Sequence, residues 1–480
     1  MALAAALPGG LPAHPASATA LFLLALASSA LAQRGAAGAP TAQILVVVVG
    51  LRVLALLGAP SLSDDIFRYV HEGRASRLGL EVPFALPPVE ITPPPDDGTT
   101  ARVNHPEIPA AYPPLSQLFF LVTVAAGDAV SAPRLFLRAA LVAADLLVVW
   151  LLWRQRRERP LAWSRYGLHV LPLLEAGLSS HIDALGVALL AAGALVATSP
   201  LWRGALFGLA MGVKPVALLG LLSLRLRPRA LALASAGLLV GALLPAAPYL
   251  AASAPLSRGL VEYSTRWQAQ PTLYALLEAT LAPAFRERAE RGVYAHLHVA
   301  RAPFGVLVEE AGRARLEVGD ARPVARPLLL DARLFARLLS LALFAVVTGL
   351  LLVRVRDPIA RLTAALAAFW LLSPTLHPWY LLWVLPFAAF LDARGILWWA
   401  ATAPLTYEAA LAYAQTSTWR EALWPRLVML LALAVGTFFD VRARRSTRGL
   451  ERGDRPPGEE PTPERRHHRV ERERDEARAK

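Results

Sequence analysis

The sequence predicts an all-α, polytopic integral membrane protein with about thirteen transmembrane helices, and three observations carry that reading. Apolar residues make up 55% of the 480 residues, charged ones only 18%, and the mean hydropathy is +0.44. Soluble chains run at about 45–50% apolar and about 25% charged. Apolar runs recur along nearly the whole length, so a single anchor cannot account for the average. Arginine clusters fall between runs at intervals that allow all of them to share one side of a membrane. Soluble globular, disordered and collagen-like classes are excluded together. The absence of cysteine excludes disulfides, thiolate metal sites and a Cys nucleophile.

In chain order the apolar runs are 18–32, 42–59, 135–153, 166–179, 182–198, 204–213, 216–224, 230–250, 332–353, 358–372, 379–391, 395–412 and 425–440. Several fall short of the ~20 residues a full span needs, the pair at 204–224 most of all. The clusters Arg154/Arg156/Arg157/Arg159, Arg225/Arg227/Arg229, Arg354/Arg356/Arg361 and Arg442/Arg444/Arg445 can all be cytoplasmic with thirteen crossings. The N-terminus is then outside and the C-terminus inside. Residues 115–129 are apolar too, but a crossing there would break the parity. Opened by Pro113-Pro114 and closed by Pro133, they read as a re-entrant or interfacial helix. Ala30-Leu31-Ala32 imitates a signal-peptidase site but lacks a positive n-region, so 18–32 is read as a retained span.

This divides the chain into a membrane domain, 1–440, and a disordered, charged cytoplasmic tail, 441–480. The membrane domain carries two large outer loops, at 60–130 and 251–331. Within the second, Phe304–Glu309 and Arg313–Val318 flank Ala311-Gly312 as a small β-hairpin would. The net charge of +13 is an orientation signal in loops and tail rather than a nucleic-acid surface. All but two of the 49 basic residues are arginine; the exceptions are Lys214 and Lys480.

With this orientation the unusual polar stretches gather outside. In Ser63-Asp64-Asp65, Ser63 can cap a helix that begins at Asp64, with acids in its first turn. Alternatively Asp65, Arg68 or Tyr69, and Glu72 share one helical face, and a carboxylate aimed along the membrane surface can act as general base toward a sugar hydroxyl. Lys214, between Val213 and Pro215, is either a snorkelling residue or a phosphate ligand. Ser180-His181-Ile182-Asp183 is either a capping box or a His/Asp pair facing an outer cavity. Glu175, inside a span, is a functional candidate by default. In Ser373–Tyr380, Trp379 and Tyr380 suit an aromatic belt, while His377 is less easily explained that way. His105, His296 and His298 have no zinc-site spacing.

The run Ser63-Asp64-Asp65-Ile66-Phe67-Arg68-Tyr69, with His71-Glu72-Gly73-Arg74, resembles the signature of bacterial membrane glycosyltransferases of the GT-C superfamily. These are the polyprenol-phosphate-mannose-dependent family 87 enzymes and the PIG-M-like mannosyltransferases. The resemblance continues through Asn104-His105-Pro106, Tyr112-Pro113-Pro114, Ser180–Ala184, Gly212–Pro215 and Ser373–Tyr380. It departs at His71 and Glu72, where the signature has Trp and Asp, and at residues 79–84. It implies a GT-C-like fold and an inverting transfer of a sugar, mannose by analogy, from a polyprenyl-phosphate donor to a glycan or glycolipid acceptor. The reaction would take place on the outer face of the plasma (inner) membrane, among membrane lipids. By this resemblance Asp65 is the general base, assisted by Asp64. Lys214 holds the donor phosphate with Arg68. Glu72, Tyr112, His181, Asp183, His377 and Tyr380 contribute to the substrate cavity. No residue is assigned as a metal ligand. No cofactor is assigned, and a divalent cation stays open because members of the superfamily differ in metal use. The second class compatible with many spans is a transporter or lipid flippase for an envelope precursor, which calls for midplane charges and internal repeats.

Overall fold

The computed structural model describes residues 15–453, apart from 59–61, 94–96, 225–226, 291–295, 298–305, 311–312, 318–327, 330–331 and 417–418. Residues 1–14, Arg225, most of the 281–331 loop and the tail from 454 lie outside the described residues, as do the side chains of Arg266 and of 284–331.

The described chain is overwhelmingly helical. α1 (Pro15–Gly35), α2 (Thr41–Leu57), α3 (Asp65–Ala75), α4 (Pro114–Asp128) and α5 (Pro133–Arg154) come first. A broken pass follows, from Ala162–Gly167 to a π-helical turn at Leu173–Leu178. Then come α6 (Asp183–Ala191), α7 (Pro200–Met211), a 3-10 helix at Pro215–Ser223, and α8 (Pro228–Ala251). α9 (Arg258–Arg266) and α10 (Leu273–Glu290) lead into the loop. α11 (Ala332–Arg354), α12 (Pro358–Leu372), α13 (Leu385–Leu391), α14 (Arg394–Thr402), α15 (Glu408–Thr416) and α16 (Leu423–Gly453) complete the chain. Proline opens α4, α5, α7, α8 and α12, where its missing N–H costs nothing and its fixed φ suits the first turn. In the loop, Val306–Glu310 pairs antiparallel with Arg313–Glu317. α16 runs on to Gly453, past the start of the charged tail at 441.

Among the described residues five helices are long and apolar enough to cross a membrane: Ser17–Gly35, Pro133–Arg154, Pro228–Ala251, Arg333–Arg354 and Leu423–Ala443. Their outer surfaces are apolar. On α11 the exposed side chains include Leu341, Val346 and Val353. Such a band is stable against lipid and costly against water. α7 and α8 approach so closely that a Cβ on Gly204 would lie 1.9 Å from the Ala234 carbonyl oxygen, and one on Gly241 2.1 Å from that of Ala205. This is the small-residue packing by which helices associate in a membrane.

Long-range hydrogen bonds sort the chain into two ends. At one end Gln155 donates to the Leu195 carbonyl, Arg165 pairs with Asp392, Arg361 donates to the carbonyls of Leu222 and Leu224, and Asp440 accepts from the Gly395 amide. The described members of the arginine clusters flank these contacts. The other end gathers residues 62–112, 180–183, 214, 263–271 and 373–380. α4 starts there, with the Ser116 amide donating to the Gly212 carbonyl. It also stays there, because Asp128 pairs with Arg74 and Arg77, and α5 departs from the same end with Arg138 bonded to the carbonyls of Ala55 and Gly58.

Candidate active site

The site is built on the start of α3. The helix begins at Asp65, one residue later than a Ser63 cap would place it, and Asp64 stands at its N-cap position without a side-chain capping bond. Ser63 Oγ instead accepts from the Asp65 amide at 3.2 Å. This offset turns the two acids apart. Asp64 is exposed, while Asp65 points into the molecule.

Asp65 Oδ1 accepts from Asn104 Nδ2 at 2.9 Å, and Oδ2 accepts from Tyr112 Oη at 3.2 Å. His181 Nδ1 lies 3.4 Å from Oδ2. Burial pushes the Asp65 carboxyl up, but the His181 imidazole and the Asn104 amide more than offset it, so Asp65 is held well below the usual carboxylate range. Tyr69 backs this shell, with its Oη 3.2 Å from that of Tyr112 and its ring stacked on Phe120 at 4.5 Å.

The turn at 180–183 is not a capping box. Ser180 is left-handed at φ +63°, and Asp183 is the first residue of α6 with Ile182 at its N-cap. A tertiary demand overrides the local one. Asp183 Oδ1 accepts from Lys214 Nζ at 2.5 Å and from Trp383 Nε1 at 2.6 Å. Ser180 is held in its strained conformation by Arg138, whose Nε donates to Ser180 Oγ at 3.2 Å. That conformation aims His181 at Asp65.

Lys214 is extended between α7 and the following 3-10 helix. Its ammonium lies 3.8 Å from the Tyr380 ring centroid, a cation–π contact. Tyr380 Oη is 2.5 Å from Tyr263 Oη. His377 stacks on Trp379 at 4.3 Å, and Trp379 stacks on His181 at 3.8 Å, so the two histidines sandwich the indole. The loop strand at Ala269 bridges to Thr375 and holds this turn against the site.

Two expected ligands point elsewhere. Arg68 donates to the carbonyls of Asn104, His105 and Ile108 and pairs with Glu72 at 3.2 Å. Glu72 also accepts from Gln117 Nε2 at 2.6 Å. Together they fasten the 104–108 loop, and so place Asn104, rather than face the cavity. Asn104, Trp383 and Arg138 had no assigned role on sequence grounds, while Tyr69 stood only as an alternative on the Asp65 face and Trp379 as an aromatic-belt residue. Asn104 and Trp379 stood inside quoted motifs, and Arg138 is a cation inside an apolar run, a signal of its own. Among the described residues no three His, Asp or Glu side chains gather as a metal site.

Residues 8–227 match the model of the alpha-(1->6)-mannopyranosyltransferase N-terminal domain, and residues 330–442 that of the MptB C-terminal domain. The chain belongs to this mannosyltransferase family. No curated relative matches it. It is thus a GT-C-like membrane glycosyltransferase, and membership in the family favours the enzyme over the transporter. Both matched regions build the site. The N-terminal one supplies Asp65, Asn104, His181, Asp183 and Lys214, and the C-terminal one His377, Trp379, Tyr380 and Trp383.

Proposed function

We propose that the protein is an inverting mannosyltransferase that takes mannose from a polyprenyl-phosphate donor and passes it to a hydroxyl of a glycan or glycolipid on the extracytoplasmic face of the plasma membrane. We read the five long apolar helices together with the shorter apolar runs as thirteen crossings, with the arginine-flanked end and the C-terminus in the cytoplasm. One observation carries the chemistry. Within the cluster His181, Glu175 and Asp183 are sealed, with side-chain exposures of 0–2%, while the opposite charges Asp65 and Lys214 keep 14% and 18%. A base and a cation are what this transfer needs.

The acceptor hydroxyl gives its proton to Asp65 and attacks the anomeric carbon. The new C–O bond forms on the face opposite the phosphate, the old one breaks, and polyprenyl phosphate leaves with the bonding pair. Negative charge grows on that phosphate, and a cation already fixed beside it lowers the barrier without reorganising. Lys214 is fixed in this way. Asp183 takes one of its three N–H groups and the Tyr380 ring covers it, leaving donors for the phosphate.

The test is transfer from radiolabelled polyprenyl-phosphate-mannose to octyl α-(1→6)-dimannoside in isolated membranes. Asp65→Asn keeps the size and the Asn104 contact but removes the base, and transfer should fall by about 10²–10⁴-fold at normal membrane levels. Near-normal transfer by that variant would remove Asp65 from this role.

A further inference from the structure

The polar chain behind Asp65 does not stop at His181. While His181 Nδ1 faces Asp65 Oδ2 at 3.4 Å, its Nε2 faces Glu175 Oε2, also at 3.4 Å. Glu175 Oε2 in turn accepts from Tyr407 Oη at 2.8 Å. Neither ring nitrogen of His181, nor Glu175 Oε1, has a hydrogen bond of good geometry among the described residues. An acid sealed in the membrane domain with an unfilled acceptor is costly unless it serves the site. Glu175 also lies on the π-helical turn Leu173–Leu178, a form that proteins keep mostly where it is functional. The geometry is fixed from several sides. Trp379 stacks on the His181 ring with only 14° between the planes, Ser180 is left-handed, and Arg138 ties Ser180 Oγ to the carbonyls of Ala55 and Gly177.

We propose that Glu175, acting through His181, holds the proton that Asp65 removes from the acceptor hydroxyl. The inference rests on Asp65 being the base. For transfer His181 takes the tautomer with its proton on Nε2, in place of the Nδ1–H form that holds Asp65 down, and so turns a bare Nδ1 toward Asp65. The hydroxyl proton reaches Asp65, passes to His181 Nδ1, and the Nε2 proton moves to Glu175 Oε2. Two protons move in three transfers: the hydroxyl proton goes to Asp65 and on to Nδ1, and the Nε2 proton goes to Glu175. Asp65 is again a carboxylate, His181 is neutral with its proton on Nδ1, and Glu175 is protonated. The reverse path through Asp65, the member with solvent-exposed surface, resets the unit. The arrangement answers a difficulty of the site. A carboxylate is far less basic than a sugar alkoxide and keeps the hydroxyl proton poorly, and passing that proton inward relieves the deficit. Glu175 never touches substrate; it is a positioning residue for the proton.

The groups facing this unit are Tyr69 and Tyr112 on the α3 side, Asp183 paired with Lys214, His377 across Trp379, and Tyr407. Burial pulls His377 down to about 3, so it is uncharged over the working range.

The experiment uses the purified full-length protein in lipid nanodiscs, the donor and acceptor named above, and initial rates across about pH 5–9. Glu175→Gln keeps the shape and an acceptor for Tyr407. It should lower kcat by about 10–100-fold, leave both KM values within about twofold, and move the acid limb of log kcat to lower pH, because removing an anion weakens the hold of the unit on protons. Tyr407→Phe withdraws a hydrogen bond from the Glu175 anion and should move the same limb to higher pH. Opposite movements support the store, and a purely structural role predicts neither. If Asp65→Asn is inactive yet the limb stays in place in whichever of the two variants folds, the proton store is overturned and the base stands. If Asp65→Asn is active, the base reading itself falls.

Discussion

Lysine is rare in this chain, and Lys214 is the only one among the described residues. Its value lies in what an arginine there would do. A guanidinium would spread over Asp183 as a bidentate fork, whereas the ammonium gives Asp183 one N–H and keeps others for a phosphate. A charged hydrogen bond of this kind is worth about 1.5–3 kcal/mol. Lys214→Ala should therefore raise the apparent KM for the polyprenyl-phosphate donor by about ten- to a hundredfold in a donor titration. Unchanged donor affinity would take Lys214 out of the site. At this scale the sequence was informative about residue type and only partly about direction. The signature and the face shared with Glu72 singled out Asp65, and the helix starting there turns it inward and leaves Asp64 exposed. Arg68 and Glu72 share the acidic face in sequence, but carbonyls of the 104–108 loop claim the arginine.

Between elements, α2 and α5 are joined in the membrane domain by a sealed ion pair. Arg52 Nε lies 2.7 Å from Asp145 Oδ2, Tyr166 Oη donates to Oδ1 at 2.7 Å, and Arg52 Nη1 donates to the Gly167 carbonyl at 2.6 Å. Removing one partner leaves a buried charge unmatched, which costs about 3–5 kcal/mol, whereas replacing both with apolar residues is often neutral. Asp145→Leu should lower the thermal midpoint of the purified protein markedly, and Arg52→Met/Asp145→Leu should restore most of it. A double variant as unstable as the single one would show that the pair does more than satisfy itself. The capping box at 180–183 failed for a related reason. Local capping is worth about 1 kcal/mol, and the contacts of Asp183 with Lys214 and Trp383, together with the hold of Arg138 on Ser180, outweigh it.

For the molecule as a whole, the approach of α7 to α8 sets how Lys214 is carried to the site, since it follows directly on α7. A Cβ on Gly208 would sit 2.1 Å from the Leu238 carbonyl oxygen. Gly208→Val must therefore part the helices, and the yield of folded protein in membranes, measured by fluorescence-detected size exclusion, should collapse. Gly349→Val, on α11 with nothing within 4 Å of its Cβ position, should leave the yield unchanged. Equal yields for the two would mean that the close packing carries no stability.

The sequence by itself determined the membrane class, the place of most apolar helices, the arginine-flanked end and the set of motifs that meet at the other end, but not the helices α9 and α10 or the extension of α16 to Gly453. Hydropathy and charge act residue by residue against a layered solvent, so they can be read along the chain. It also gave residues 115–129 as one helix, observed as α4 over Pro114–Asp128, with its start bonded to Gly212 and its end paired with Arg74. Only the tertiary structure decided that Asp183 holds Lys214, that Arg68 turns to the carbonyls of the 104–108 loop, and that Glu175 stands behind His181 at the same 3.4 Å as Asp65. Those outcomes depend on contacts between segments up to 200 residues apart, as with Asp183 and Trp383. In a low-dielectric interior each such contact outweighs the local preferences of the residues that make it.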